Sequence, residues 1–426
     1  MAWMASTRGL VSYYLSWISG PRACQLRDNS PIEGELRDSA AGRTEAASLV
    51  LFNATHSVVG GGLIYLKSVI PELSRATDLR WILVAPKKTL ENLDIPPTWR
   101  IRASPDLGFF ALHVWEQVLL PIWALSQGVS VTLCNSNYVP LLAPRPIPIL
   151  HTEVVEALQR TKTFSARFYW YTLKVLTDLS LARASHVLTT AAHLVYDYRG
   201  GKVLAREGRS FFVPPGVPNI PEPVARDPNL IVAVGDIYSH KDYGTLIRAM
   251  ALLVQRRPLT KLEIIGERLE NQCVQELLRL IEDLGLEDQI ALTGWITHDH
   301  LMRRIAQSTV LATASLAETS NMVVIEAMSV GTPVVASNAR FQHEVAADAA
   351  LFVSDSGDKP AAFGQALFDL LENPDLQAEL RKRGYQRSAQ FDWAKTAATI
   401  LECTRCALRP MGNRNSGRAE PTNLPK

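Results

Sequence analysis

The sequence has few cysteines, little net charge and no long hydrophobic run, and each shortage disfavours a class of protein. Five cysteines in 426 residues form no dense framework, which disfavours a disulfide-stabilised secreted domain and suits a reducing compartment. A formal net charge of +2 argues against a dedicated nucleic-acid-binding protein. The longest uncharged run, residues 117–144, is interrupted by prolines and glycine, so it predicts a buried helix and a strand instead of a membrane span.

Two local patterns invite a function but are better explained structurally. Cys403 and Cys406 have C-x-x-C spacing, yet no second pair follows, so we interpret them as neighbours on a helix; a metal or redox role is the alternative. The apolar stretch 9–20 is too short to cross a bilayer and lacks a convincing cleavage site.

The composition, 47% hydrophobic and 20% charged, is typical of a soluble globular protein long enough for two domains. Residues 214–228 contain six prolines, which neither a helix nor a central strand tolerates, so they predict a linker. The predicted segments are a disordered extension at 1–47, a first domain at 48–214, a linker at 215–228, a second domain at 229–390, a final helix at 391–408 and a polar tail at 409–426.

The chain is organised around residues 310–337, which predict a strand, a helix and a second strand of a parallel sheet. Ser320 and Asn321 are expected to cap the helix, which runs from about Asn321 to Val330. Gly331 suits the left-handed residue that closes it, and Pro333 prevents its continuation.

Glu326 lies inside this almost wholly apolar helix. A buried carboxylate needs hydrogen-bond partners, and a vicinal diol offers two donors; pairing with an arginine is the alternative. The open N-terminus of the helix suits a phosphate, and Glu318 lies just before it. Phosphate, diol and a second carboxylate together predict a nucleotide-sugar site.

The two glutamates, followed by E-A-M-S-V-G-T-P-V-V-A-S, closely resemble the donor-site motif of retaining GT-B glycosyltransferases of family four. The resemblance implies that Glu326 binds the ribose hydroxyls and that Glu318 lies beside the donor sugar and the reaction centre. It also implies that the backbone around Asn321, Met322 and Val323 faces the donor.

The first domain opens with a predicted strand, 48–53, followed by Gly60, Gly61 and Gly62. Without side chains, these residues let backbone N–H groups approach a phosphate, although a tight packing turn would look alike. The spacing is not the G-x-G-x-x-G of a dinucleotide fold, and the next strand ends in two lysines instead of an acid. An oxidoreductase is therefore disfavoured, although a lysine pair could still suit NADP as a cofactor.

His151 directly follows a predicted strand, 147–150, where ligands bind in open parallel sheets. A lone histidine is commonly structural, but H-T-E resembles the family's active-site histidine, which implies contact with the sugar. The segment W-E-Q-V-L-L-P at 115–121 resembles members that build bacterial polysaccharides. The aromatic stripe at 163–183 is typical of a core helix, and its neighbouring cations also allow a membrane surface.

In the second domain Gly235 follows a strand and Lys241 is predicted to begin a helix facing the cleft, where it could neutralise a diphosphate. Many relatives have an arginine where this chain has Asp236, so Lys241 is expected to act alone. The triplet His298, Asp299 and His300 could suggest a metal, but it fits the N-terminal polarity of a helix. Glu344 resembles a loop residue that closes the donor site.

As a whole, the resemblance implies an α/β protein of two doubly wound Rossmann-like domains, whose final helix crosses back to the first domain. It implies transfer of a hexose-type sugar from a nucleotide-diphosphate donor to a glycan or lipid-linked acceptor in the cytoplasm, with possible peripheral membrane contact through the first domain. Because no D-x-D pair occurs, no metal or other cofactor is expected. A nucleotide-sugar 2-epimerase and a noncatalytic nucleotide-sugar-binding scaffold are the alternatives.

Overall fold

The computed structural model describes residues 47–58, 60–160, 164–217, 224–354 and 356–409, which form two parallel sheets covered by helices. The predicted extension, apart from residue 47, and most of the polar tail therefore lie outside the described residues. In the first sheet the strands are β1 (Ser48–Asn53), β2 (Leu79–Ala85), β3 (Arg100–Ala103), β4 (Val131–Cys134), β5 (Pro146–Leu150), β6 (Val187–Thr189) and β7 (Ser210–Phe212). In the second sheet they are β8 (Asp227–Val234), β9 (Lys261–Ile265), β10 (Ile290–Gly294), β11 (Ser308–Thr313), β12 (Val334–Ser337) and β13 (Ala350–Val353).

Both sheets have the doubly wound strand order. The seven-stranded sheet runs β3-β2-β1-β4-β5-β6-β7 and the six-stranded sheet β10-β9-β8-β11-β12-β13, with every pairing parallel. The direction in which successive strands are added across the sheet reverses between β1 and β4 in one sheet and between β8 and β11 in the other. Ligands of such sheets bind at these switch points, beyond the carboxyl ends of the strands.

Helices cover both faces of each sheet, so the strands are near-continuous apolar runs. The helices of the first domain are α1 (Gly60–Leu73), α2 (Lys87–Glu91), α3 (Phe109–Val114), α4 (Leu120–Ser126), α5 (Val154–Arg160), α6 (Phe164–Arg183), α7 (Ala192–Tyr196) and α8 (Arg199–Arg206). Those of the second are α9 (Tyr243–Leu253), α10 (Asn271–Asp283), α11 (His298–Gln307), α12 (Met322–Ser329), α13 (Arg340–Ala346), α14 (Lys359–Glu372) and α15 (Pro374–Ser388).

The final helix, α16 (Trp393–Leu408), returns to the first domain, as the resemblance implies. Ala397, Ile400 and Cys403 of α16 belong to the same buried cluster as the first-domain strands β1 and β4. Complete burial of a side chain such as Ile400 contributes about 2 kcal/mol to stability. This burial holds α16, which follows the second domain in the chain, against the first domain. Cys403 and Cys406 are free thiols on this helix, and burial raises the pKa of Cys403 and so disfavours its thiolate.

Several boundaries differ from the sequence predictions. Strand β8 begins at Asp227, inside the predicted linker, because Asp227 pairs with Ser308 of β11. Strand β7 was not predicted; three residues carry too short a pattern to recognise. A π-helical turn, Trp115–Leu119, which the sequence does not predict, lies between α3 and α4. Within the described ranges, no helix has both the length and the hydrophobicity to cross a bilayer.

Candidate active site

A cleft of about 520 Å³ lies between the two domains and collects most of the predicted site residues. Its first-domain wall includes Gly61, Gly62 and His151. Its second-domain wall includes Lys241, Glu318, Asn321, Met322 and Val323. Gly235 and Glu326 are not among its described lining residues. Gly235 lies against Lys241, and Glu326 belongs to α12, whose Met322 and Val323 line the cleft.

Lys241 and Glu318 form an ion pair on the second-domain wall. Lys241 follows β8 and Glu318 follows β11, so adjacent parallel strands deliver both side chains to one edge. Lys241 Nζ donates to Glu318 Oε1 over 2.5 Å, and about 15% of each side chain is exposed. An anionic ligand entering the cleft would therefore compete with Glu318 for the ammonium group.

The position of Lys241 depends on Gly235. Gly235 has φ of +140°, and a Cβ at this residue would lie 2.8 Å from Lys241 Nζ. A side chain at residue 235 would therefore displace the lysine. The prediction that Lys241 begins a helix was wrong: it ends a 3₁₀ turn, Ser239–Lys241, and α9 starts at Tyr243. Asp236 accepts a hydrogen bond from Glu267 N and so holds a turn.

The N-terminus of α12 opens into the cleft without a side-chain cap. The expected cap was wrong: Asn321 makes no capping hydrogen bond and donates through Nδ2 to Gln342 Oε1 at 2.9 Å instead. Asn321 has φ of +25°, a conformation that asparagine tolerates better than most residues. The first amide groups of α12 therefore carry partial positive charge towards the cleft. At the other end Gly331 has φ of +68°, as predicted.

Glu326 is 4% exposed inside α12, and its partner is a histidine. His298 Nε2, at the start of α11, lies 2.9 Å from Glu326 Oε1. This hydrogen bond raises the pKa of His298, although partial burial opposes the rise. The sequence left a diol or an arginine as partner and explained His298 by helix polarity; the pairing was missed because the residues lie on different helices. Glu326 Oε2 has no hydrogen-bond partner among the described residues.

His151 lies on the opposite wall, where β5 ends. Its Nε2 is 2.6 Å from Asn135 Oδ1, and its backbone N–H donates to Asn137 Oδ1 at 2.8 Å. Burial lowers the pKa of His151 to about 4, so the ring is neutral at physiological pH. Nε2–H then donates to Asn135, which leaves Nδ1 as an acceptor.

Gly60, Gly61 and Gly62 form the first residues of α1 instead of the predicted turn before it. A Cβ at Gly61 would meet no atom within 4 Å, and one at Gly62 would approach Ser57 Oγ only to 3.7 Å. Crowding within the protein therefore does not require glycine at residue 61, which weakens the packing-turn alternative.

The W-E-Q-V-L-L-P segment holds a buried network that sequence reasoning missed. Its π-helical turn places Glu116, which is fully buried, beside Asn53 Nδ2 at 2.7 Å and His56 Nε2 at 2.8 Å. Tyr138 OH joins His56 Nε2 at 2.7 Å to His113 Nε2 at 2.9 Å. A glutamate inside an apolar helix was the available signal, the same signal that identified Glu326.

Glu344 lies on helix α13, not on the predicted loop, and it contacts the first domain. Its carboxylate accepts hydrogen bonds from Ala192 N at 3.0 Å and His193 N at 3.2 Å, and it lies 3.0 Å from His193 Nδ1. Glu153 lies 2.7 Å from His193 Nε2. Burial lowers the pKa of His193, but the two carboxylates more than offset this effect and raise the pKa to about 9. We call the set His193, Glu153 and Glu344 the interdomain clasp.

The aromatic stripe of α6 is largely exposed, so its interpretation as core was wrong for several residues. Phe164 is 87%, Phe168 58% and Tyr171 58% exposed, whereas Tyr169 and Trp170 line the cleft. Among the described residues, no group of three or more histidines, cysteines or carboxylates has the arrangement of a metal site.

Comparison with known proteins agrees with this architecture. Residues 219–387 match the model of the family described as Glycosyl transferases group 1. D-inositol 3-phosphate glycosyltransferase of Frankia alni is 29% identical over 193 residues, which cover 43% of this chain and 47% of the relative. The chain thus matches about half the length of this curated relative.

Solved structures share the fold across most of the chain. Sucrose-phosphate synthase of Thermosynechococcus elongatus superposes with a TM-score of 0.68 and 18% identity, over 84% of this chain and 98% of that one. HepE of Anabaena, solved in complex with UDP and glucose, superposes with a TM-score of 0.65 and 17% identity. The superposition covers 84% of this chain and 99% of the HepE chain.

The two sheets, the cleft between them and the returning helix define a GT-B protein. Its second domain is similar, over residues 219–387, to the glycosyl transferases group 1 family.

Proposed function

We propose that this chain is a glycosyltransferase that moves a hexose-type sugar from a nucleotide-diphosphate donor to a glycan or lipid-linked acceptor, with retention of anomeric configuration. The observation that carries the proposal is the cleft, in which Lys241, Glu318 and the uncapped N-terminus of α12 face His151 and Gly61. The family match of the second domain and the UDP and glucose bound to HepE support a nucleotide-sugar donor.

The second domain binds the donor in this proposal. Lys241 and the amides of α12 neutralise the diphosphate and its developing charge as the sugar leaves, so the proposal assigns this role to no metal. Glu326 accepts hydrogen bonds from the ribose hydroxyls through Oε2 while His298 holds Oε1. Gly235 keeps the space that Lys241 occupies.

The reaction centre lies between the walls. Glu318, released from Lys241 when the diphosphate binds, stabilises positive charge that develops on the sugar ring. Neutral His151 binds a sugar hydroxyl. The acceptor hydroxyl attacks from the face that the diphosphate leaves and gives its proton to the departing diphosphate. The backbone amides of Gly60, Gly61 and Gly62, at the N-terminus of α1, contact the donor from the first domain.

We place the enzyme in cell-surface polysaccharide or glycolipid synthesis, in the cytoplasm and peripherally on the inner face of the membrane. The exposed aromatic residues of α6 and the exposed Val118, Ile122 and Leu125 of the same domain support contact with lipid. Sedimentation with anionic vesicles at low salt tests this contact. The chain should sediment, Phe164→Ser/Phe168→Ser should sediment less, and failure of the unmodified chain to sediment would refute the contact.

A panel of nucleotide sugars, scored for released nucleoside diphosphate with and without lipid-linked acceptors, tests the activity. The proposal predicts release that one acceptor accelerates and that EDTA does not abolish. A 2-epimerase would convert the donor sugar without any acceptor, and a scaffold would bind nucleotide without releasing diphosphate. Either result would replace the proposal.

A further inference from the structure

The first-domain wall of the cleft carries a hydrogen-bonded group that the donor does not account for. Glu116 is fully buried, and burial raises its pKa, but His56 and Asn53 more than offset this and leave the pKa below the ordinary value. The carboxylate is therefore ionised at neutral pH. A buried carboxylate without donors would be strongly destabilised, so His56 Nε2 must carry a hydrogen and donate it to Glu116.

This constraint fixes what the other nitrogen of His56 can do. With Nε2 bonded to Glu116, Nδ1 is the other polar atom of the ring, an acceptor in imidazole and a donor in imidazolium, and a hydroxyl group can pair with either form. Nδ1 has no hydrogen-bond partner among the described residues and is not a sealed buried atom. His56 lines the cleft, with 19% of its side chain exposed. The pairing of a buried carboxylate with a histidine facing a cleft is the arrangement that orients an imidazole towards a hydroxyl group.

The surroundings of His56 suit a polyhydroxylated ligand. Tyr138 and His113 line the same part of the cleft and are joined through the Tyr138 hydroxyl. Tyr169 and Trp170 of α6 add aromatic faces on the same wall. A sugar ring can place its hydroxyl groups against Tyr138 and His113 and its C–H faces against Tyr169 and Trp170.

We propose that His56, oriented by Glu116, binds a hydroxyl of the acceptor through Nδ1 in a subsite completed by Tyr138 and His113. The ligand class is a sugar or other polyol. The inference rests on the proposed function, because it assigns the acceptor to the wall opposite the donor-binding residues. His56 touches the ligand in this arrangement, whereas Glu116 is a positioning residue.

The test separates acceptor binding from donor binding. UDP affinity is measured by calorimetry, and histidine resonances of the UDP-saturated protein are followed by NMR during titration with octyl glycosides of glucose, galactose, mannose and N-acetylglucosamine. At least one glycoside should shift the His56 resonance saturably. His56→Ala should weaken that glycoside about 10-fold or more without changing UDP affinity.

Glu116→Gln keeps the shape of the buried side chain and guards against a folding defect. It should weaken the same glycoside without changing UDP affinity, and the imidazole nitrogen chemical shifts should show that the hydrogen is no longer held on Nε2, because an amide can donate as well as accept. His300→Ala, on the exposed face of α11, is the matched control and should change neither affinity.

Three results would overturn the subsite. These are no glycoside shifting His56, unchanged glycoside affinity in His56→Ala, and an unchanged His56 tautomer in Glu116→Gln. Absence of UDP binding by the unmodified chain would instead refute the proposed function, so the two failures are distinguishable.

Discussion

At the scale of single residues, the pairing of Lys241 with Glu318 means that the proposed nucleotide would compete with a carboxylate for one cation. Lys241→Ala removes the cation, and Glu326→Gln removes the charged acceptor proposed for the ribose. Each should weaken UDP binding about 10- to 100-fold, the usual effect of losing a hydrogen bond to a charged group. Isothermal titration calorimetry measures it, with the exposed Lys382→Ala and Glu379→Gln as controls. Unchanged affinity in the first two variants would refute these assignments.

Glu318→Gln should behave in the opposite way. The amide no longer neutralises Lys241, so UDP affinity should stay the same or increase, whereas kcat should fall about 100-fold because charge on the sugar is no longer stabilised. Steady-state kinetics beside calorimetry gives both values. A variant that loses UDP affinity but keeps kcat would assign Glu318 to binding instead of turnover.

The sequence suggests residues for the proposed donor site but does not give the contacts that they make. Glu326 was recognisable because a carboxylate inside an apolar helix needs a reason. Its partner His298 lies on α11, and one sequence does not record which helices pack together. The cap expected from Asn321 failed for a similar reason, since Gln342 of α13 competes for the side chain.

At the scale of elements, the first turn of α1 offers a clean separation of stability from function. Alanine is more favourable than glycine in a helix by up to about 1 kcal/mol, and a Cβ at Gly61 meets no protein atom within 4 Å. Gly61→Ala should therefore raise the melting temperature slightly while weakening donor use, because the methyl group occupies cleft volume. Calorimetric unfolding and the KM for the donor measure the two effects.

Gly244→Ala in the first turn of α9, which is not among the described lining residues of the cleft, is the control. It should raise the melting temperature without changing the donor KM. A fall in melting temperature with Gly61→Ala would show that glycine is required there by packing.

The alternation of strands and helices predicted both sheets because buried parallel strands are short, apolar and separated by helices. Elements that depend on tertiary contacts escaped prediction. Strand β7 has three residues and is specified by its neighbour β6, and the π-helical turn is stabilised by the buried contacts of Glu116.

At the scale of the whole molecule, the interdomain clasp should make the closed arrangement depend on pH. The folded pKa of His193, about 9, lies above its ordinary value of 6.5. Opening would separate His193 from Glu344 but not from Glu153, so the pKa of His193 should fall on opening, and the stabilisation of the closed arrangement is lost as pH rises through the closed-state pKa of about 9. The groups that face His193 are Glu153, Glu344 and Asp197.

Small-angle scattering from pH 6.5 to 10 should show the radius of gyration increasing at the alkaline end. His193→Gln should remove this dependence, because glutamine does not titrate. A radius that is constant over the range, or equally pH-dependent in the variant, would contradict the role of the clasp.

The central claim is that the cleft binds a nucleotide diphosphate, with the ribose on Glu326 and the phosphates beside Lys241. A crystal structure of the chain with UDP tests it most directly. Ribose oxygens should lie within hydrogen-bond distance of Glu326, and the diphosphate should have replaced Glu318 at Lys241 Nζ. Nucleotide bound elsewhere, with the contacts of Glu326 to His298 and of Lys241 to Glu318 intact, would contradict it.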